Sequence, residues 1–466
     1  MTEVRLACPR CGYRARAGAT RCAGCRADLH TGASLARDGA GARRTRLLAV
    51  GAGLGVLATM GVAVWSSRPP GATRAVPEAP RAEVSRSAAA VPDVARGSEV
   101  ARAHPGAWAL RTVAQVQVGG VPGAVVFAGV PEHVWVATGT GQSVVEIDPA
   151  SGVVLSTLPA GQLTEALAVV HGRWLIAWHY WMSSALTVWD LAQPDRPRQS
   201  LPIGRNLADV LALPDGESML VSACQSHTVK RVHLPDLRVT GAVTFPRAVG
   251  RMIPVQSHGR FSAAVMGGVF RIWWSGRGST PIGAWVDLID PGETPFAATR
   301  RSISAGRQPR DPDVAFGGTR LIFPDRVSNQ VTSVDLEGST PPQTIGVGVR
   351  PERVVVLPGD RYALSLDAVS RSLTVMGLQP LAYETTLPLE AAPTSAAVSP
   401  VRGYAAISLG GARGDGEGVV LVAGTPPRIV ARGTTGRGPL DVAASADGST
   451  LATADRGGTV TLLRAE

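Results

Sequence analysis

Four of the five cysteines lie in the first 25 residues as two pairs, Cys8 with Cys11 and Cys22 with Cys25, spaced C-x2-C-x10-C-x2-C. Two such knuckles present four thiolates to one tetrahedral Zn2+ at ~2.3 Å, with Pro9, Gly12 and Gly24 supplying the bends. A four-thiolate site is closed, leaving no coordination position for a substrate, so the expected ion is structural. A module this small buries too little to fold alone. Metal binding, ~10–16 kcal/mol in apparent terms, would be its folding energy. Two disulfides or a redox CxxC pair are the alternatives, and a reducing compartment disfavours both. His30 would ligate only in place of a cysteine.

Elsewhere the chemistry-bearing residues are dispersed. There is no GxSxG, HExxH or phosphate-loop pattern. His133, His171, His179, His227, His233 and His258 are scattered, and Cys224 reads as a small buried apolar residue. The densest unusual passage is Trp178-His179-Tyr180-Trp181, with a second aromatic pair at Trp273-Trp274. Clustered aromatics either line a recognition surface, because they bury large area at low entropy cost, or fill wedges in a core. They are the candidate binding surface.

The elements that would position these groups begin with residues 47–65, nineteen positions without a charge or a proline. As a helix they reach ~28 Å, close to the ~30 Å thickness of the bilayer hydrocarbon. Residues 1–46 hold ten arginines against Glu3, Asp28 and Asp38, a net +7. That basic excess places the N-terminus in the cytoplasm and everything after residue 65 outside it. Gly51 and Gly55 form a GxxxG pair that would let two spans touch. Residues 66–106 are rich in Pro, Ala, Arg, Glu and Ser without apolar periodicity, as a semi-extended spacer would be. The expected order is therefore a zinc ribbon at 1–32, a basic juxtamembrane segment at 33–46, a span at 47–65, a linker at 66–106 and a large domain at 107–466.

Charge also narrows the partners. Of the overall +10, the last 420 residues carry only +3, from 36 basic and 33 acidic groups. Nucleic-acid binding needs clustered basic residues, so none is expected of the large domain. The arginines of the ribbon face an anionic inner leaflet, where lipid or an acidic partner would suit them, and they also serve plain positive-inside orientation.

The large domain is a repeat. Similar passages begin near Val121, Leu163, Asn206, Arg251, Gln308, Arg350, Ala392 and Gly438, mostly 42–46 residues apart. Each contains short β-branched runs, as at 125–127, 134–137, 354–357 and 460–462, separated by Gly-rich turns; Asp215-Gly216 and Asp447-Gly448 suit tight reversals. Four short strands per repeat of ~40–45 residues is the pattern of an all-β propeller of seven to eight blades, eight preferred. The long interval after Arg251 places an extended loop near 275–281 or 291–296. The last unit runs out after three strands, so residues 108–118 should return to complete it.

Two resemblances add to this. Cys8-Pro9-Arg10-Cys11-Gly12 with Cys22-Ala23-Gly24-Cys25 and Leu29 resembles the short bacterial zinc ribbons, with Arg21 and Arg26 departing from the usual aromatic and Gly. The repeats resemble the YVTN propeller family, itself similar to lactonase-like and WD40 propellers. The resemblance rests on SVVEID at 143–148 with Gly152, on Val331 to Asp335 leading to Gly346, Gly348 and Pro351, and on Gly438-Pro439 through Asp447-Gly448 to Val460. Residues 163–189 and 251–296 match poorly, and only Trp189-Asp190 ends a strand with a Trp-Asp pair. The expected protein is a non-enzymatic, single-span propeller of the cytoplasmic membrane, binding a protein or cell-envelope ligand outside. A lactonase-like or quinoprotein-like enzyme or ligand sensor is the competing class, and a signal relay with the ribbon as effector is a third.

Overall fold

The structure is a computed structural model that describes Leu6–Ala7, Arg14–Ala15 and residues 108–466, apart from 162, 180–182, 194, 196, 268–284, 292–301, 305, 307 and 412–413. The four N-terminal cysteines, the apolar stretch at 47–65, the linker and the aromatics Tyr180, Trp181, Trp273 and Trp274 lie outside the described residues. So do the expected long loops at 275–281 and, but for Pro291, at 291–296. Leu6–Ala7 and Arg14–Ala15 form an antiparallel pair, Leu6 opposite Ala15, on either side of the first cysteine pair. Among the described residues no helix is long and apolar enough to cross a membrane.

Residues 108–466 build eight antiparallel four-stranded sheets among the described residues. Blade 1 runs Ala124–Ala128, His133–Ala137, Ser143–Ile147 and Val154–Pro159. The first strands of blades 2–8 are Ala166–Val170, Leu207–Ala212, Val249–Ser257, Asp313–Ala315, Pro351–Val356, Ser395–Ser399 and Pro439–Ala444. Each repeat start read from the sequence falls within a few residues of one of these. The poorly matching passages 163–189 and 251–296 belong to blades 2 and 4. Strands alternate direction, so turns between second and third strands and links from one blade to the next share one face, the connector face. The remaining hairpin turns share the opposite face.

Burial explains why sheets and not isolated hairpins form. The inner strands are apolar on both faces, and each interblade wedge has its own cluster. Trp135, Leu167 and Trp189 fill the wedge between blades 1 and 2; Ile176, Trp178, Leu207 and Met219 fill the next. The ring closes through Val125, Val134 and Val136 of blade 1 against Ala452, Val460 and Leu462 of blade 8. A fully buried side chain of this size contributes ~1.5–3 kcal/mol, so each wedge ties its two blades firmly.

The closing strand is Leu110–Gln117, which pairs with Thr459–Ala465. Chain start and chain end of the domain are thereby in one sheet, leaving no open edge between them. Trp108 stands edge-on to Tyr404, 5.5 Å between ring centres, and pins the entry of this strand against blade 7. Leu110 pairs with Ala465 and Gln117 with Thr459, so the chain enters at the hairpin face and leaves toward blade 1 at the connector face.

Three links between blades share one device. Gly306, Gly348 and Gly436 each stand three residues before a proline (Pro309, Pro351, Pro439), and each approaches an aspartate at the end of the second strand: Asp325, Asp367 and Asp455. The Gly348 amide donates to Asp367 at 3.2 Å and that of Gly436 to Asp455 at 3.1 Å. A Cβ at Gly348 would sit 2.5 Å from the Asp367 carboxylate, so only glycine lets the link come close enough to be capped.

Candidate functional site

The strand register brings one position of each blade to the same level around the axis. In blades 3, 6 and 8 the first strand opens with an irregularity, and the residue after it is Asp209, Arg353 or Asp441. Arg251, Asp311 and Ser395 hold that place in blades 4, 5 and 7; Ala124 and Ala166 hold it in blades 1 and 2. Six consecutive blades thus supply Asp, Arg, Asp, Arg, Ser and Asp.

These side chains are bonded blade to blade. Arg251 lies 3.8 Å from Asp209 and makes a two-pronged contact with Asp311 at 3.2 and 2.8 Å. The main chains of Asp311 and Arg353 pair side by side. Arg353 donates to Ser395 Oγ at 2.8 Å and to the Ala396 carbonyl at 2.5 Å. Ser395 Oγ donates in turn to Asp441 Oδ1 at 2.8 Å, and the Val125 amide donates to Asp441 Oδ2 at 3.2 Å. The belt runs from blade 3 to blade 1 and includes the closing junction.

Its electrostatics follow from burial. Asp209, Arg353 and Asp441 are 4%, 6% and 2% exposed. Burial pushes the Asp441 carboxyl up to about 7, against the hydrogen bonds from Ser395 and Val125 and the attraction of Arg251. Asp209 is also raised by burial, although Arg251 and the Met252 amide oppose it. Asp367, under the blade 5–6 link, is pushed to about 6 by burial, and Asp455 is raised for the same reason. A buried charge is tolerated only when paired and hydrogen-bonded. Asp209, Arg251 and Asp311 meet that demand by alternating sign, whereas Arg353 and Asp441 are served by the neutral Ser395 hydroxyl and by main-chain groups.

The aromatic candidates separate. Trp178 is fully buried in the wedge between blades 2 and 3, so it offers no recognition surface. This corrects its placement among surface residues: it ends a second strand whose side chains all face neighbouring sheets. His179 is 8% exposed, its Nε2 lies 3.6 Å from Glu165 Oε2, and its amide donates to Ser183 Oγ at 3.0 Å. Tyr180 and Trp181, like Trp273 and Trp274, fall outside the described residues. The connections that contain them, from Trp178 to Ala185 in blade 2 and from Gly267 to Trp285 in blade 4, both leave second strands and so start from the connector face.

Three of the histidines among the described residues are held by hydrogen-bond partners. His133 Nδ1 lies 2.7 Å from Glu146, His171 Nε2 lies 3.0 Å from the Ser218 carbonyl, and His233 Nδ1 lies 2.7 Å from Asp236. Cys224 is 8% exposed and its thiol is pushed up to about 11 by burial, as suits a core residue. Among the described residues no group of three or more His, Cys, Asp or Glu is placed to hold a metal.

Sequence reasoning missed the belt. The signal was present: Asp209, Arg251, Asp311, Arg353, Ser395 and Asp441 each stand near the start of a repeat, and Arg251, Arg353 and Ser395 follow a preceding member by 42 residues.

Strand order and interblade wedges together define the class, an eight-bladed β-propeller. No family model matches the chain, and no curated protein does. Among solved structures it is similar to the hydrazine synthase of Kuenenia stuttgartiensis, with 16% identity over 75% of this chain and 96% of that chain and a TM-score of 0.49. At that distance the likeness carries no argument about chemistry.

Proposed function

We propose that the chain is a non-enzymatic binding protein of the cytoplasmic membrane. A single span over residues 47–65 anchors it, the linker at 66–106 spaces the propeller from the bilayer, and the propeller engages a protein or cell-envelope ligand outside. The cysteine quartet Cys8, Cys11, Cys22 and Cys25 holds one structural Zn2+ on the inner side, where the surrounding arginines suit anionic lipid or an acidic partner.

The observation that carries the binding reading is the use of the belt. Arg251 is held between Asp209 and Asp311, and Arg353 and Asp441 share Ser395, so the belt ties first strands together across blades and leaves recognition to the turns. Catalysis would instead call for an acid, base or nucleophile held ready for a substrate. The test is affinity capture of crosslinked, detergent-solubilised full-length protein beside a chain ending at residue 106. A partner recovered only with the propeller supports the proposal. Equal recovery with both chains, or turnover of a small substrate by the propeller, overturns it.

A further inference from the structure

The four-residue turns joining second to third strands in blades 3, 5 and 6 have one design. They read Cys224-Gln-Ser-His227, Arg326-Val-Ser-Asn329 and Ala368-Val-Ser-Arg371. The fourth residue of each is left-handed, with φ of 55°, 57° and 52°. The serine is fixed by its bonding: Ser226 Oγ accepts from the Arg205 amide at 2.7 Å, Ser370 Oγ accepts from the Val349 amide, and Ser328 Oγ donates to Asp325 at 2.5 Å. The second position is free to vary, since its side chain points outward. Blade 3 places Gln225 there, with Arg205 on the link beside it, and both are exposed. Blades 5 and 6 place Val327 and Val369, with Val349 on the link between them, and these are 45%, 57% and 49% exposed.

The fold therefore does not ask for valine at these positions, because blade 3 makes the same turn and the same link with Gln and Arg. Three aliphatic side chains nonetheless stand in water on adjacent tips. The tips are knitted together: the Val347 amide donates to the Asn329 carbonyl at 3.0 Å and the Val369 amide to the Val349 carbonyl at 3.1 Å. The patch is thus a fixed surface of two neighbouring blades on the connector face, opposite the face where the chain enters.

Charge identifies what fits it. Arg350, Arg326 and Arg310 converge on one carboxylate, Glu352, at 2.6, 3.2 and 3.2 Å. Arg371, beside Val369, is exposed and its guanidinium makes no hydrogen bond within the described chain. The nearby Asp325 and Asp367 are buried beneath the turns at 4% and 0% exposure. A partner meets aliphatic tips flanked by guanidinium groups, which pair best with carboxylates.

We infer that the rim formed by Val327, Val349 and Val369 with Arg350 and Arg371 docks an acidic segment of another protein, its aliphatic side chains on the valines and its carboxylates on the arginines. This deepens the binding reading and rests on it. The test places a photocrosslinking amino acid at Val327 or, as the matched control, at Gln225, in full-length protein in its native membrane, and sequences what is captured. The expected result is a crosslink from position 327, not 225, to a segment of net negative charge. Val349→Gln with Val369→Gln, which removes the aliphatic tips without changing the charge of the rim, should lower recovery of that partner at least about tenfold with melting unchanged, and Arg371→Glu should lower it as well. Equal crosslinking from both positions, capture of a neutral or basic segment, or capture of this chain's own residues 66–106 overturns the inference. A partner that follows the propeller without crosslinking at 327 refutes the rim and spares the binding reading; no partner at all refutes both.

Discussion

Asp441 is the most informative residue to perturb, because it joins blades 7, 8 and 1 where the ring closes. Its folded carboxyl stands at about 7, pushed up by burial, against about 3.9 in the unfolded chain. A folded value above the unfolded one means that this group's stability contribution is fully present below pH ~4 and is lost as pH rises through about 7. Each pH unit inside that window costs about 1.4 kcal/mol, and the total lost between pH 5 and pH 8 is about 3 kcal/mol. Asp367, at about 6, adds loss of the same sign that ends earlier. The variant Asp441→Asn isolates the larger contribution, since its carbonyl still accepts from the Val125 amide while its uncharged amide faces Ser395. Denaturant melts at pH 5, 6, 7 and 8 should show wild type losing about 3 kcal/mol more than the variant across the series. For a domain of this size that is about 4 °C in Tm. A difference between the two proteins that stays constant with pH would refute a buried, proton-carrying Asp441.

Four other outcomes are expected. Trp178→Ala should destabilise the propeller by ~3–5 kcal/mol in chemical denaturation, as removal of a fully buried indole does; a neutral result would move Trp178 out of the wedge. Removing residues 1–118 should cost several kcal/mol more than removing residues 1–107, because only the former takes away the strand paired with Thr459–Ala465; equal melting would mean that the ring does not depend on this closure. Metal analysis of the purified full-length protein should give one zinc per chain, abolished by Cys8→Ser with Cys22→Ser; full zinc in that variant would exclude the cysteine quartet. Protease added to intact spheroplasts should digest the propeller and spare the N-terminal module, and the opposite sidedness would refute the proposed span.

The architecture was legible because a propeller writes its period along the chain. Turns such as Asp215-Gly216 and Asp447-Gly448, and links such as Gly348 to Pro351, recur for reasons of local geometry, and local geometry is what a sequence displays. The shortage of strands at the C-terminus likewise pointed to residues 108–118 as the closing piece, and Leu110–Gln117 supplies it. Trp178 was less legible. A tryptophan-rich run has the same composition at a binding rim and in a wedge, and only the pairing of Trp178 with Ala166 places it inside.

The belt and the rim show why side-chain partners resist a reading by motif. Arg251 and Asp311 touch although 60 residues separate them, and Ser395 and Asp441 touch although 46 do. Each residue alone is an ordinary polar residue near a strand start. Meaning appears when the repeats are aligned on the strand register and the column is read down instead of along. The same column reading separates structure from recognition. Positions that keep one residue type across blades, such as Ser226, Ser328 and Ser370, hold turns together. Positions that change from Gln225 to Val327 and Val369 under an unchanged backbone are free of that duty. In a fold whose units repeat one backbone solution, a departure that costs solvation and brings no packing is the position at which the proposed docking of an acidic segment is to be tested.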